Sequence, residues 1–564
     1  MTPAQEHDRR LRRRAAILAP SVALVALVAL GACTGQISGG ADGPGGASAP
    51  NDGWPSFAPT TSYGLRRLTT EQYLATVKTL LGVSSTGMPT IEKVPPAAGF
   101  SAIGAATAAV SGGGVASFED AARFLAHAAF DVNGPRAQLV PCTPTGPDDS
   151  ACLGNFVSAF GPRAFRRPLT TDEVTRYTAV AAQAAAATGD AWQGLEAITS
   201  AFLQSPSFLY LTEVGTPDPM NAGRFKYTGY EMASRLSYFL TNDMPDVTLL
   251  AAAASGALAT PEGVQAEATR LLATPAAHDA VRGFFAAMLS LDNLDTLTRP
   301  TALFPQFTPT LGAAMKQEMA LVLDDLVFTR DGDYRTLFDQ QETFVNAELA
   351  ALYGIPAPAG TGFSRVTLPV GSHRAGLLGQ AGVLAARDHS DGTSPTRRGL
   401  FVLTRLLCRD LPLAPPAGLT IPPPPTGLLT ARQKLAEHAS NATCASCHTV
   451  TDPVGLSLEH FDAMGVYRED DHGIAIDDTG VLDGKTYQGE PGLGVLLRDH
   501  PALGPCLIQS LYGVGVGHLP TEFDRVPFGA LTRTWQSSGA RIRAMLSAIV
   551  ASDGFRYLPT PRGN

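Results

Sequence analysis

The chain has 564 residues, 45% of them hydrophobic, and a formal net charge of −9. Its length supports more than one packed domain, and its acidic balance excludes a general nucleic-acid binder, which would carry a basic face. Charged residues make up 16%, against about 25% in an average globular protein, and 57 glycines with 43 prolines imply long loops.

In chain order, "DRRLRRR" is a basic leader and "AAILAPSVALVALVAL" an apolar stretch of signal-peptide length, shorter than most membrane spans. "LGAC" at 30–33 resembles the bacterial lipobox. Residues 1–32 are therefore expected to be a lipoprotein signal peptide, and Cys33 the lipidated first residue of the mature chain. An uncleaved anchor helix and an ordinary secretory signal are the other readings; each places the body outside the cytoplasm. Residues 33–62, rich in Gly, Ala, Ser and Pro, have no apolar periodicity and read as a flexible tether.

"RRLTTEQYLATVKTLLG" (66–82) predicts a capped amphipathic helix, with Thr69 or Thr70 as N-cap and Gly82 as its stop. Residues 152–187 predict two more helices around "FGPRAFRRPLTTDEV", with Thr170 or Thr171 as cap and Asp172 and Glu173 in the first turn. "GYEMASRLSYFLTN", "GVQAEATRLLAT", "AVRGFFAAMLSL" and "AAMKQEMALVLDDLVF" share the helical period. Strand-like alternation is scarce, and "FSRVTLPV" (363–370) is the best candidate. The fold class is mainly α, with several helical domains, long Pro/Gly-rich loops and no fixed-period repeat. "LPLAPPAGLTIPPPPTG" (411–427) should run as extended polyproline II, as a linker or a docked strap.

"CASCH" (444–448) follows, with the spacing of a c-type haem attachment site. Covalent attachment adds two thiols across two vinyl groups, and an adjacent imidazole must reach the iron. On a helix, Cys444, Cys447 and His448 share one face. A structural zinc would need four ligands; no second C-x-x-C exists, so His438 and His460 would have to complete the set. A redox dithiol is the other alternative, but no βαβ pattern surrounds it. The cofactor expected is therefore covalent haem c, with His448 on the iron. For the sixth iron position the candidates are Met464, His389 and an open or water-bound site. His460 reads as structural. The Pro453 carbonyl is expected to accept the Nδ1 proton of His448.

The chain has seven cysteines. With Cys33 lipidated and Cys444 and Cys447 on haem, four remain, an even number as an oxidising compartment favours. Cys142–Cys152 is the favoured pair, because "CTPTGPDDSAC" is a short turn-rich loop; Cys408–Cys506 is left by elimination. The alternative is that some are buried free thiols.

These segments together resemble the planctomycete and myxobacterial cytochrome C-like multidomain family, built from domains of unknown function 1587, 1595, 1592, 1588 and 1585. "RRLTTEQYLATVKTLLG" is similar to the first, "FGPRAFRRPLTTDEV" to the second, and "YTGYEMASRLSYFLTNDMPD" with "FVNAELAALYGI" to the third. "HSDGTSPTRRGLFVLTRLLC" with "NATCASCHTVTDPVGLSLEHFDAMGVYRE" resembles the fourth, and "CLIQSLYGVGVGH" the fifth. The resemblance implies helical domains over 63–135, 140–215 and 225–356, a haem-bearing domain over 370–470, and a C-terminal helical domain over 475–560. It also implies that Thr393, Ser394, Pro395, Arg398 and Gly399 buttress the haem site. Arg398 is a candidate partner for a haem propionate, with a surface salt bridge as the alternative.

Three functions are compatible with this reading: an envelope-anchored monohaem cytochrome passing electrons to a redox partner, a haem oxidoreductase with an open iron position, and a non-enzymatic surface scaffold. Nucleophile-elbow, HExxH and phosphate-loop motifs are missing from the sequence. The Asp324–Asp325 pair reads as a solvated helix face.

Overall fold

The computed structural model describes residues 64–221, 224–369, 371–411 and 429–558. The leader, Cys33, the tether and all but the first residue of the proline run lie outside them. The protein is mainly α.

The N-terminal part comprises strand β1 (Leu65–Arg67) and helices α1 (Thr70–Leu81), α2 (Gly112–Phe130), α3 (Ser150–Phe165), α4 (Thr171–Thr188) and α5 (Ala191–Gln204), then strand β2 (Tyr210–Thr212). Thr69 caps α1 and Thr170 caps α4, each in a capping box with Gln72 or Glu173. In both Thr–Thr pairs the first threonine is the cap, because its hydroxyl meets the N–H three residues on, where a Gln or Glu reaches back. Gly82 ends α1 at φ 71°, a left-handed position suited to glycine. Helix α5 packs against both α2 and α4. Their core holds a run of touching rings: Phe130, Phe156, Phe160, Phe202, Phe165 and Tyr177. The favoured Cys142–Cys152 disulfide is present and clips the loop before α3.

A second core runs from Phe100 and Ile103 to Leu558. It draws on α6 (Gly229–Thr241), α7 (Pro261–Leu272), α8 (Pro275–Met288) and α9 (Leu311–Asp324), each on a segment with helical periodicity. "FSRVTLPV" does supply a strand. Its antiparallel partner, which carries no comparable signal, is β3 (Glu342–Val345), and the strand itself is β4 (Ser364–Thr367). Helices α10 (Pro395–Phe401), α11 (Ala431–His438) and α12 (Ala442–Gly455) surround the C-x-x-C-H motif, and α13 (Leu503–Val516) and α14 (Ile542–Ala551) complete the C-terminal packing. The second disulfide, Cys408–Cys506, joins the chain after α10 to α13 across 98 residues of sequence.

The two cores are stitched by buried charge. Arg66 of β1 and Arg235 of α6 both approach Glu213 Oε1, at 3.0 and 2.8 Å, and β1 pairs antiparallel with β2. One expectation needs correction. Asp324 and Asp325 do not form a solvated helix face. A π turn (Asp325–Thr329) follows α9 and turns Asp325 inward, where it pairs with Arg330 at 2.6 Å, while Asp324 pairs with Arg282.

Candidate haem-attachment site

The motif lies on a regular helix. Helix α12 places Cys444, Cys447 and His448 at i, i+3 and i+4, so the three side chains share one face. Cys444 is buried and Cys447 half-buried. Both are thiols, whereas the other four cysteines among the described residues are in disulfides. Continuing the face by one turn brings Asp452 under the imidazole. Its Oδ2 lies 2.8 Å from His448 Nδ1, and Thr396 Oγ1 lies 3.4 Å from the same nitrogen. Thr396 donates to the other carboxylate oxygen at 2.8 Å. The expected Pro453 partner is thus replaced by Asp452. Pro453 lies within α12, and the helix runs on through it to Gly455, so the side chain four residues on reaches the ring instead.

The segment that precedes the motif in sequence but supports it in space is α10. Helices α10 and α12 meet backbone to backbone. A Cβ on Gly399 would collide with the Thr451 carbonyl oxygen, and one on Gly455 with the Pro395 carbonyl oxygen. The loop ahead of α10 is fixed as well: Thr393 Oγ1 donates to Glu459 Oε2 at 2.8 Å, and the Ser394 N–H to Asp388 Oδ1 at 2.9 Å. These are the contacts of a buttress.

Arg398 has a different task from the one its chemistry suggested. It is 1% exposed and forms an ion pair with Asp388 at 2.6 Å. Its remaining N–H groups go to the carbonyls of Leu458 (2.7 Å), Phe461 (2.9 Å) and Asp462 (2.9 Å). All the donors of the guanidinium fork are engaged, so none is left for a propionate, and the residue is not at the surface either. It pins the turn that follows α12.

The other candidates scatter. Met464 is fully buried in the main core, with its N–H on Asp462 Oδ1. His389 is exposed on the loop before α10. His460 is structural, as expected: its Nδ1 lies 2.7 Å from the Arg468 carbonyl and its ring stacks on Tyr467. His438, at the end of α11, is brought against His448 with ring centroids 4.7 Å apart and planes at 64°. Among the described residues no three His, Cys, Asp or Glu side chains gather into a metal-ligand set, so a four-ligand zinc site is not assembled.

The residues present fit haem c. Two unpaired thiols at i and i+3 can form the thioether links. The imidazole between them and Asp452 is held through Nδ1, which leaves Nε2 for iron, and a carboxylate behind a metal-ligating histidine fixes its tautomer and raises its basicity.

A buried polar group lies beneath this region. Arg374 donates to the carbonyls of Gly379 and Gly465, and its guanidinium lies over Tyr353 (4.0 Å) and Phe461 (4.6 Å). Glu318 accepts from Thr343 (2.5 Å) and Tyr353 (2.6 Å), yet burial pushes its carboxyl up to about 7. Burial likewise pushes Glu490 up to about 8, against the Ala375 N–H and the charge of Arg374.

The fold and site define a mainly helical protein with a C-x-x-C-H helix buttressed by a second helix. Models of proteins of unknown function match it in chain order: DUF1587 over residues 66–131, DUF1595 over 152–213, DUF1592 over 227–355 and DUF1588 over 374–471. The last model, which covers the whole α10–α12 site, is named PSCyt3. The chain belongs to the multidomain family that strings these domains together. The 1585-like reading of the C-terminal segment stands on the resemblance alone. No curated protein and no solved structure matches the chain.

Proposed function

We propose that this is a cell-envelope lipoprotein carrying one covalent c-type haem on α12 and passing electrons to a redox partner. The observation that carries the reading is the pair of unpaired thiols on the face of α12 that also presents a carboxylate-anchored imidazole. The cytochrome-like name of the matching domain model agrees with it. Cys444 and Cys447 would hold the porphyrin and His448 the iron, which supplies a one-electron couple when bound. His448 retains 19% side-chain exposure, so the motif lies near the surface, where electrons could pass to a docked partner over a short path. Anchoring through Cys33 would confine that exchange to the membrane surface.

The test is expression of the full chain in a bacterial host that matures c-type cytochromes, followed by a haem stain on a denaturing gel. The stain should persist at the mass of the chain and disappear in Cys444→Ala and Cys447→Ala. A wild-type band without stain overturns the proposal. Loss of membrane association in Cys33→Ala checks the anchor separately.

A further inference from the structure

The sequence leaves the second axial position of the iron open between a methionine, a histidine from another loop and water. The tertiary structure brings a different residue to His448. The ring of His438 meets the ring of His448 edge to face, with centroids 4.7 Å apart. We infer that His438 is the second axial ligand of the iron, so that the site is bis-histidine; this rests on the covalent-haem reading above.

The local architecture supports the assignment in three ways. First, the two histidines are prepared differently. His448 is tied through Nδ1 to Asp452 and lies beside Thr396, which fixes its ring from below. His438 stands at the end of α11, and its ring contacts that of His448. Second, the connection is short. Residues 439–441 form the turn between the helices, with the Asn441 N–H on the His438 carbonyl at 3.3 Å and the Ala439 N–H on Leu435 at 2.8 Å. Five residues, 439–443, lie between His438 and Cys444, enough chain to pass around the edge of a planar ligand anchored at Cys444 and Cys447.

Third, α11 is held to the body at one end by polar contacts and not by core packing. None of its residues is buried. It is fastened by polar contacts at its first turn: the Ala431 N–H on Asp471 (3.2 Å), and Arg432 on the carbonyls of Asp477 (2.9 Å) and Thr479 (2.6 Å). The Thr430–Gln433 capping box closes the same end. The far end, which carries His438, can swing outward from His448 without opening a hydrophobic core. Met464, by contrast, is packed at 0% exposure in the main core, and withdrawing its side chain would leave a cavity there.

The experiment uses the full-length holoprotein. Covalent haem is first confirmed by the denaturing-gel stain; its absence would overturn the parent reading and this inference together. In the wild type the visible spectrum should be low-spin and carbon monoxide should bind slowly to the reduced form. His438→Ala should turn the oxidised spectrum high-spin and let carbon monoxide bind at least tenfold faster, and added imidazole should restore the low-spin spectrum. His438→Met, which keeps a ligand at the position, should remain six-coordinate with a higher reduction potential. Met464→Ala and His389→Ala should leave the low-spin spectrum intact. A stained, folded His438→Ala protein that stays low-spin without imidazole would overturn the inference while leaving the covalent haem standing. A high-spin wild type would do the same.

Discussion

Gly399 of α10 and Gly455 of α12 face each other across a contact in which each glycine lies against the other helix's backbone, near Thr451 and Pro395 respectively. This contact sets the distance between the buttress and the motif, and with it the reach of Thr396 to Asp452.

Gly399→Ala and Gly455→Ala should each destabilise the protein by about 1–3 kcal/mol, because a rigid backbone carbonyl cannot yield to an added methyl group. Urea denaturation followed by circular dichroism measures this. Gly283→Ala, within α8 and with open space around it, is the control and should raise stability by about 0.5–1 kcal/mol through helix propensity.

On the proposed covalent haem, Asp452→Asn should leave attachment intact but alter the iron's electronics. A neutral amide behind Nδ1 would make His448 a weaker donor and favour the reduced iron, so the reduction potential should rise. Spectroelectrochemical titration of the two holoproteins reads the difference. An unchanged potential would mean that the carboxylate does not act on the ligand.

Arg398→Met removes one partner of a buried pair and leaves Asp388, whose side chain is 0% exposed, uncompensated. The expected loss is about 3–5 kcal/mol. A propionate-binding residue would instead show its main effect in the haem spectrum with stability preserved, so comparing melting with the spectrum separates the two roles.

The two buried carboxyls make stability fall as pH rises. Glu318 and Glu490 keep their protons in the folded protein up to about 7 and about 8, whereas in the unfolded chain they lose them near 4.5. The folded state therefore binds more protons above pH 4.5. The stability each group contributes is complete below that value and is lost as pH passes its folded value, at about 1.4 kcal/mol per pH unit per group. Glu318→Gln and Glu490→Gln together should flatten the decline between pH 5 and 8, as read by thermal melts across that range.

The long disulfide should matter more than the short one. Cys408–Cys506 closes a loop of 98 residues that contains α11 and α12, and Cys142–Cys152 one of 10. The chain-entropy account gives about 4.7 kcal/mol for a loop near 100 residues and about 3 for one of 15. Replacing both cysteines of each pair by alanine and comparing denaturation midpoints tests the order.

By itself the sequence determined most of what depends on spacing along one element. The helical stretches, the threonine pairs that open two of them, the "FSRVTLPV" strand, the Cys142–Cys152 clip and the common face of Cys444, Cys447 and His448 follow from local periodicity and short-range chemistry, and Cys408–Cys506 from elimination; the fold selected the first threonine of each pair as the cap. Even Asp452 was within reach, since it lies four residues beyond His448 on a helix that Pro453 does not break. Tertiary structure decided what depends on which surfaces meet. Arg398 is a donor fork of the same composition whether it faces solvent, a propionate or three backbone carbonyls, and only the fold of residues 458–462 around it selects the last. The proximity of His438 to His448 is likewise set by the angle between two helices, which a turn of three residues permits but does not specify. Side-chain identity fixes what a group can bind; burial and the neighbours supplied by distant segments fix what it does bind.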